Sequence, residues 1–184
     1  IFHLVYFNKR QFNYFINNEL INIKYRDGRK NFKLVKGAEK VFYNIDNIID
    51  SEYVVIVEGE MDVLSFVESG INSAISVPNG ATINSVNLDY LDSCIDYFES
   101  KEKIIIAVDQ DEAGFALKQE LIRRLGAEKC FTIELGVHKD ANEFLMEHGR
   151  NSLADLVDKA KPVPIENVVT LKDINEELEE FIYE

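Results

Sequence analysis

The chain has 184 residues, 46% hydrophobic and 29% charged, a balance that suits one globular domain with its own core and excludes a disordered segment or a small stapled module. No run of about 18 apolar residues occurs and the N-terminal residues lack the basic, apolar, small-residue order of a signal peptide, so a membrane-spanning helix is not suggested and a cytoplasmic protein is the default expectation. The 33 acids against 20 bases give a formal net charge of −13, which argues against a surface coated uniformly by nucleic acid.

The first forty residues run against that balance, with Lys9, Arg10, Lys24, Arg26, Arg29, Lys30, Lys33, Lys36 and Lys40 forming a local basic cluster. Residues 1–50 read as β-rich. "FNYFINNELINIKYRDGRKNFKLV" alternates apolar and polar side chains and is broken at Asn17-Asn18 and Asp27-Gly28, pairs able to take the positive φ of tight hairpins. A three-stranded meander is expected there, followed by "AEKVFYNIDNIID" as a connecting segment.

From Tyr53 onward strands and helices alternate. The strands are "YVVIV", "SAISV", "KIIIAV" and "KCFTIEL"; the helices are "MDVLSFVES" closed by Gly70, "LDYLDSCIDYFES", "EAGFALKQELIRRL" closed by Gly126, and "ANEFLMEH" closed by Gly149, with a loop at Pro78-Asn79-Gly80-Ala81. Short continuous apolar strands separated by amphipathic helices predict an α/β fold whose parallel four-stranded sheet is covered on both faces. Its ligand site is expected outside the carboxyl ends of those strands. The expected organisation is a β-rich subdomain at 1–50, an α/β domain at 51–161, and an acidic tail or linker at 162–184 leading toward a further domain. Cys94 and Cys130 sit in apolar segments and read as core thiols, and neither they nor His3, His138 and His148 have zinc-like spacing.

The acids sort themselves by the strand-end rule. Glu58 follows "VVIV", Asp109 closes "IIIAV" with Asp111 two residues on, and Asp140 lies past the last strand; Glu60 and Asp62 fall in the turn after Glu58. Gly59 and Gly114 permit close backbone approach at the strand-to-helix turns. Two carboxylates about 4 Å apart repel by roughly 4 kcal/mol at an effective dielectric of about 20, so a shared proton or a divalent cation must neutralise them. An all-oxygen set with no base in "VEGEMD" or "VDQDEAG" favours magnesium or manganese, and such ions take further ligands from phosphates, which points to phosphoryl or nucleotidyl transfer or phosphodiester hydrolysis. Taken singly, an acid at a strand end is an ordinary helix N-cap, and Asp111 suits that role. The order EGxxD, then DxDxxG after a later strand, is the stronger signal.

"VEGEMDVLSF" with "IAVDQDEAG" resembles the TOPRIM domain shared by bacterial-type primases, topoisomerases and some nucleases. "NIKYRDGRKNFKLVKGAEKVFYNIDNI", "SVPNGA" and "KDANEFL" extend the resemblance to the DNA primase half of phage and mitochondrial (Twinkle-type) primase-helicases. The resemblance implies a TOPRIM-type fold and a nucleotidyltransferase making short RNA primers on single-stranded DNA. It implies Glu58, Asp109 and Asp111 as catalytic acids, these three and Asp140 as ligands of two or more Mg2+ or Mn2+ ions, and Lys24, Lys30 and Lys33 directed at nucleotide phosphates. Asp62, Gly59 and Gly114 would support the loops and helix caps. The implied partners are a single-stranded DNA template, ribonucleoside triphosphates, a helicase domain and a template-recognition module. No GxxxxGK[ST] loop or zinc module is present in these residues, so motor and template reader are expected elsewhere.

Three other readings compete. A metal-dependent nuclease or topoisomerase-like protein uses the same acids; a catalytically inactive scaffold of a helicase keeps the fold without the ions; and a phosphoacceptor receiver domain, with Lys139 as its lysine, leaves EGxxD and the β-rich start unexplained.

Overall fold

The computed structural model describes residues 3–6, 9–29, 31–79 and 88–165. Two sheets form. The smaller is antiparallel in the order β1 (His3–Tyr6), β2 (Lys9–Ile16), β3 (Glu19–Asp27), β4 (Phe32–Leu34), one strand more than the expected meander. The β2–β3 hairpin turns on Asn17 and Asn18 at φ 51° and 63°, as their residue types predict. The β3–β4 turn works differently: Gly28 does not take a positive φ, and the Asp27 carboxylate instead accepts hydrogen bonds from the amides of Arg29 (2.8 Å) and Asn31 (2.9 Å).

Period-two alternation divides this sheet into two faces. Arg10 pairs with Arg26, Phe12 with Lys24, Tyr14 with Asn22, and across the next ladder Arg26 pairs with Phe32 and Lys24 with Leu34, so all these side chains share one face. Phe12 and Tyr14 are fully buried and meet Tyr43 edge-on, at centroid distances of 6.0 and 5.3 Å. Tyr43 belongs to the connecting segment and bridges Ser76 of the larger sheet, which makes the core continuous between the two sheets.

The larger sheet runs β6 (Ala74–Ser76), β5 (Tyr53–Val57), β7 (Lys103–Ile106), β8 (Cys130–Thr132), β9 (Lys161–Pro162). The first four are parallel, as expected, and β9 adds an antiparallel edge. β5 is an interior strand, and four of its five residues are fully buried, the pattern of a strand covered on both faces. Helices α1 (Glu60–Glu68) and α4 (Glu112–Leu125) agree with the sequence. The helix expected over 88–100 is instead two four-residue turns, α2 (Asp89–Asp92) and α3 (Asp96–Glu99), joined by i to i+3 bonds such as Cys94 to Leu91. α5 (Ala141–Asp158) breaks at Gly149 (φ 79°), as predicted, but helical structure resumes beyond it. The strand expected over 129–135 is short because β7, its partner, ends opposite Thr132. Gly80 and Ala81 of the expected loop, and the tail beyond residue 165, lie outside the described residues.

The chain leaves β5 for β6 on one side and returns to β7 on the other, so β5 and β7 flank a topological switch point. Crevices of open α/β sheets form there.

Candidate active site

Glu58 follows β5 and Asp109 follows β7, and the two meet at that crevice: the Asp109 amide donates to Glu58 Oε1 at 3.2 Å. Gly114, in the first turn of α4, packs directly behind them. A Cβ there would lie 2.1 Å from the Asp109 carbonyl oxygen and 2.6 Å from Glu58 Oε1, so only glycine admits this approach. At Gly59 a Cβ would press on the Asp62 carboxylate, at 2.9 Å, with the Met61 amide nitrogen at ordinary contact distance, 4.0 Å.

Asp111 caps α4, accepting from the Gly114 amide at 3.0 Å, and Asp140 caps α5, accepting from the Glu143 amide at 2.8 Å. The ordinary capping role therefore holds for both. Asp111 is not confined to it. Lys139 Nζ stands 3.3 Å from Asp109 Oδ2 and 3.6 Å from Asp111 Oδ2, tying the pair together. Asp62 does not cap its own helix; its Oδ1 accepts from the Asn142 amide at 3.2 Å, bracing α1 against the first turn of α5.

Electrostatics follow from this crowding. Glu58 is pushed up to about 7 by burial and then by the Asp109 charge; Asp62 is pushed up to about 7 by burial and then by Asp140 and Asp109. Burial also raises Asp109, with Lys139 opposing it, whereas the Gly114 amide holds Asp111 low. Asp109 in turn holds the Lys139 ammonium above its ordinary range. A carboxyl raised in the folded state contributes stability in full below its unfolded value and loses it as pH rises through the folded value. Without divalent ions, Glu58→Gln is therefore expected to melt with wild type near about pH 5 and above it near about pH 8, measured by thermal denaturation in EDTA. A wild-type advantage at the higher pH would contradict the burial of this acid.

The donor chemistry suits a hard divalent cation, with oxygen ligands from several elements and an ammonium placed where the carboxylates demand positive charge, although among the described residues no three of these acids bring their oxygens within 4.8 Å of one another. Glu58, Asp109, Asp111 and Asp140 are the residues that would hold it. Lys139 would compete with it. Lys139→Met is expected to tighten Mg2+ binding by about 5-fold, the worth of one exposed ion pair, in calorimetric titration; weaker binding would make the lysine a helper rather than a competitor.

Glu58, Asp109 and Asp140 open into a cleft of about 710 Å³ that is also lined by Arg10, Lys24, Arg26 and Phe32 of the small sheet, whereas Asp111 lies at a neighbouring cleft with Gln110, Phe115 and Lys118. Lys24 is buried, and its ammonium donates to Glu60 Oε1 at 2.7 Å. The Tyr14 hydroxyl donates to the same oxygen, so Glu60 clasps the small sheet to α1. Lys33, opposite Tyr25, lies on the other face of the small sheet and is exposed, away from the acids. Lys30 lies outside the described residues.

A family model described as Toprim-like matches residues 55–145, the segment that carries Glu58, Asp62, Asp109, Asp111 and Asp140. The chain carries a Toprim-like domain. Over a longer stretch that includes this segment it is 36% identical to the Primase homolog protein of Arabidopsis thaliana, over 85% of this chain and 51% of that protein. It is 35% identical to the Twinkle homolog protein, chloroplastic/mitochondrial, of the same plant, over 92% of this chain and 26% of that protein. The chain thus spans about half of one relative and a quarter of the other. Among solved structures, the primase fragment of the bacteriophage T7 primase-helicase superposes with a TM-score of 0.70 at 26% identity, covering 81% of this chain and 62% of that one. The RNA polymerase domain of Mycobacterium tuberculosis primase DnaG, at 20% identity and TM-score 0.67, covers 84% of this chain and 56% of its own and supports the fold. The resemblance to primase-helicases and the α/β fold with its small β-rich sheet both stand.

Sequence reasoning missed three features around this Toprim-like domain. Glu60 reads as one more acid of the EGxxD turn, whereas it is a buried ion-pair partner. Lys101 is buried as well, and its ammonium donates to the carbonyls of Ile48 and Ser51, anchoring the connecting segment. The histidines, which have no metal-like spacing, nevertheless come together in part: His138, Glu147 and His148 place donor atoms within 4.8 Å of one another. There His138 is already engaged, through Nδ1 with the Leu135 carbonyl (2.8 Å) and Nε2 with Glu147 (2.9 Å). Both cysteines are buried free thiols, as expected. Among the described residues no helix is long and apolar enough to cross a membrane.

Proposed function

We propose that this chain is the catalytic core of a DNA primase, joining ribonucleotides on a single-stranded DNA template in a reaction that requires Mg2+ or Mn2+. The observation that carries the reading is one cleft lined both by the strand-end acids Glu58, Asp109 and Asp140 and by the cations Arg10, Lys24 and Arg26. Polyphosphate substrates need both: hard cations at the reacting phosphate, and fixed positive charge for the phosphates the ions do not reach.

In this reading Glu58, Asp109, Asp111 and Asp140 hold the ions, two or more in number. The bound ions would supply Lewis-acid stabilisation of the charge that develops during nucleotidyl transfer. The chain's own residues position and screen. Gly114 keeps Glu58 and Asp109 in contact, Asp62 fixes α5 and with it Asp140, and Lys24, held by Glu60, fixes the cation-bearing sheet face at its distance from the acids. Lys139, displaced from Asp109 and Asp111, becomes available to the departing pyrophosphate. The catalytic contribution of the protein is then positioning and preorganised charge.

The helicase domain and the template-recognition module of the reading belong to longer proteins. The relative named Twinkle homolog and the T7 primase-helicase fragment support a helicase as partner. The chloroplastic/mitochondrial name of that relative gives the cytoplasmic expectation no support.

The test pairs Mn2+ binding, followed by electron paramagnetic resonance, with product analysis on a single-stranded template and labelled ribonucleotides. Mn2+ uptake with short RNA products supports the reading. Degradation of the strand instead would assign a nuclease, and absence of Mn2+ uptake would leave a scaffold.

A further inference from the structure

We propose that Phe32 is a stacking platform for an unpaired nucleobase at the mouth of the cleft, a subsite that rests on the nucleotidyl-transfer reading above and names how a nucleotide is gripped away from the acids. The shared face of the small sheet grades from core to solvent. Its inner aromatics, Phe12 and Tyr14, are 0% exposed, whereas Phe32, on the three-residue edge strand β4, is 52% exposed and lines the cleft. A large ring left half in water on an edge strand forgoes burial that a Phe side chain normally gains, so its position calls for a partner.

The surroundings of the ring choose the partner's chemistry. Lys24 Nζ lies 4.9 Å and Arg26 Cζ 5.2 Å from the ring centroid, within the reach at which cations are attracted to the ring face. Arg26 stands opposite Phe32 in the β3–β4 ladder and Arg10 opposite Arg26 in the next, so the ring and both guanidinium groups share one face. Among the described residues neither arginine has a carboxylate within ion-pair distance, although both line a cleft otherwise rich in acids. An apolar protein partner would have to bury those charges unpaired, which costs more than the ring returns. A nucleobase carrying 5′-phosphate satisfies both: its π face stacks on the open side of the ring, and its phosphates meet the guanidinium groups. Stacking of this kind accepts any base, which suits an enzyme whose base choice is made by pairing with a template.

The chemistry is common to two sources, a free nucleoside triphosphate and an unpaired stretch of template. The chain contains no tryptophan, so Phe32→Trp introduces a single indole at the platform. Titrations are made in EDTA, where no turnover occurs, with ATP, with an oligothymidylate and with inorganic tripolyphosphate. Quenching of the indole by ATP places the incoming nucleotide on the platform, and quenching by the oligonucleotide alone places the template there. Tripolyphosphate, which has no base, should leave the fluorescence unchanged. Phe32→Leu, which keeps apolar bulk without a π face, should weaken binding of the quenching ligand by about 5- to 100-fold while leaving tripolyphosphate binding unchanged, and Phe32→Tyr should restore it.

The platform is overturned if neither base-bearing ligand quenches, or if the leucine variant binds as wild type does. That failure is separate from failure of the primase reading. A protein that takes up Mn2+ and makes RNA yet shows no quenching loses only the platform; one that quenches with ATP but neither binds Mn2+ nor makes RNA keeps a base-binding site and loses the polymerase.

Discussion

Asp111→Asn is expected to reduce divalent-ion-dependent nucleotide incorporation on the order of 10³-fold while leaving the melting temperature within a few degrees of wild type. The separation of the two effects rests on a particular geometry. Asp111 accepts the Gly114 amide through Oδ1, an N-cap bond that asparagine makes equally well. Its Oδ2 is left to Lys139, at 3.6 Å, where a formal charge is what attracts a cation. Asparagine keeps the cap and removes the charge. Alanine would remove both and cost a further ~1 kcal/mol of helix stability, which would blur the result. Asp109→Asn shares the expected loss of activity, but it also deprives Lys139 of its nearer partner at 3.3 Å, so it is the less discriminating variant. Calorimetric Mn2+ titration and incorporation of labelled ribonucleotide are the paired measurements. An Asp111→Asn protein that folds, binds Mn2+ with wild-type affinity and incorporates normally would remove Asp111 from the metal site and leave it a helix cap.

The parts of this site readable from sequence are those fixed by one strand and the turn after it. "YVVIV" and "KIII" admit no interpretation but buried parallel strands, and an acid directly after such a strand lands at the carboxyl edge whatever the neighbours do. The switch point then brings Glu58 to Asp109 because β5 and β7 are adjacent. What escaped reading depends on partners distant in the chain. Glu60 meets Tyr14 and Lys24, 46 and 36 residues away, and nothing local in "VEGEMD" distinguishes it from Asp62. Lys24 is expected to reach nucleotide phosphates, and its burial against Glu60 is not legible, since alternation assigns a face to each residue but does not say which face is covered. The 88–100 segment has helical spacing of Leu91, Cys94 and Phe98, yet the chain buries all three through two short turns. Helical structure after Gly149 was hidden by the same glycine that breaks it, although Leu153 and Val157 resume the i, i+4 apolar spacing and are buried. Edge strands β1 and β9 carry too few residues for a pattern.

Lys24→Met is expected to destabilise the protein by about 4 kcal/mol, the largest loss of stability among the variants considered, because it strands the Glu60 carboxylate in the core without its counter-charge. The pair is shut away from solvent, with side-chain exposures of 9% for Lys24 and 3% for Glu60, so water cannot take the place of the ammonium. The Tyr14 hydroxyl remains as one donor, and burial, followed by the Glu60 charge, already holds that phenol well above its ordinary range. A single neutral donor does not offset a buried charge. Lys24→Met combined with Glu60→Met should recover most of the loss, since it removes both charges at comparable volume. Urea denaturation of wild type, both single variants and the double variant gives the coupling directly. The same cycle separates two roles for Lys24. If it acts only through the clasp, the double variant regains activity together with stability; if its ammonium also meets nucleotide phosphates, the double variant is stable and still impaired in nucleotide binding. Single variants that both unfold at the wild-type urea midpoint would mean that the clasp does not hold the two sheets together, and the spacing between the acids and the cations that line the cleft would need another cause.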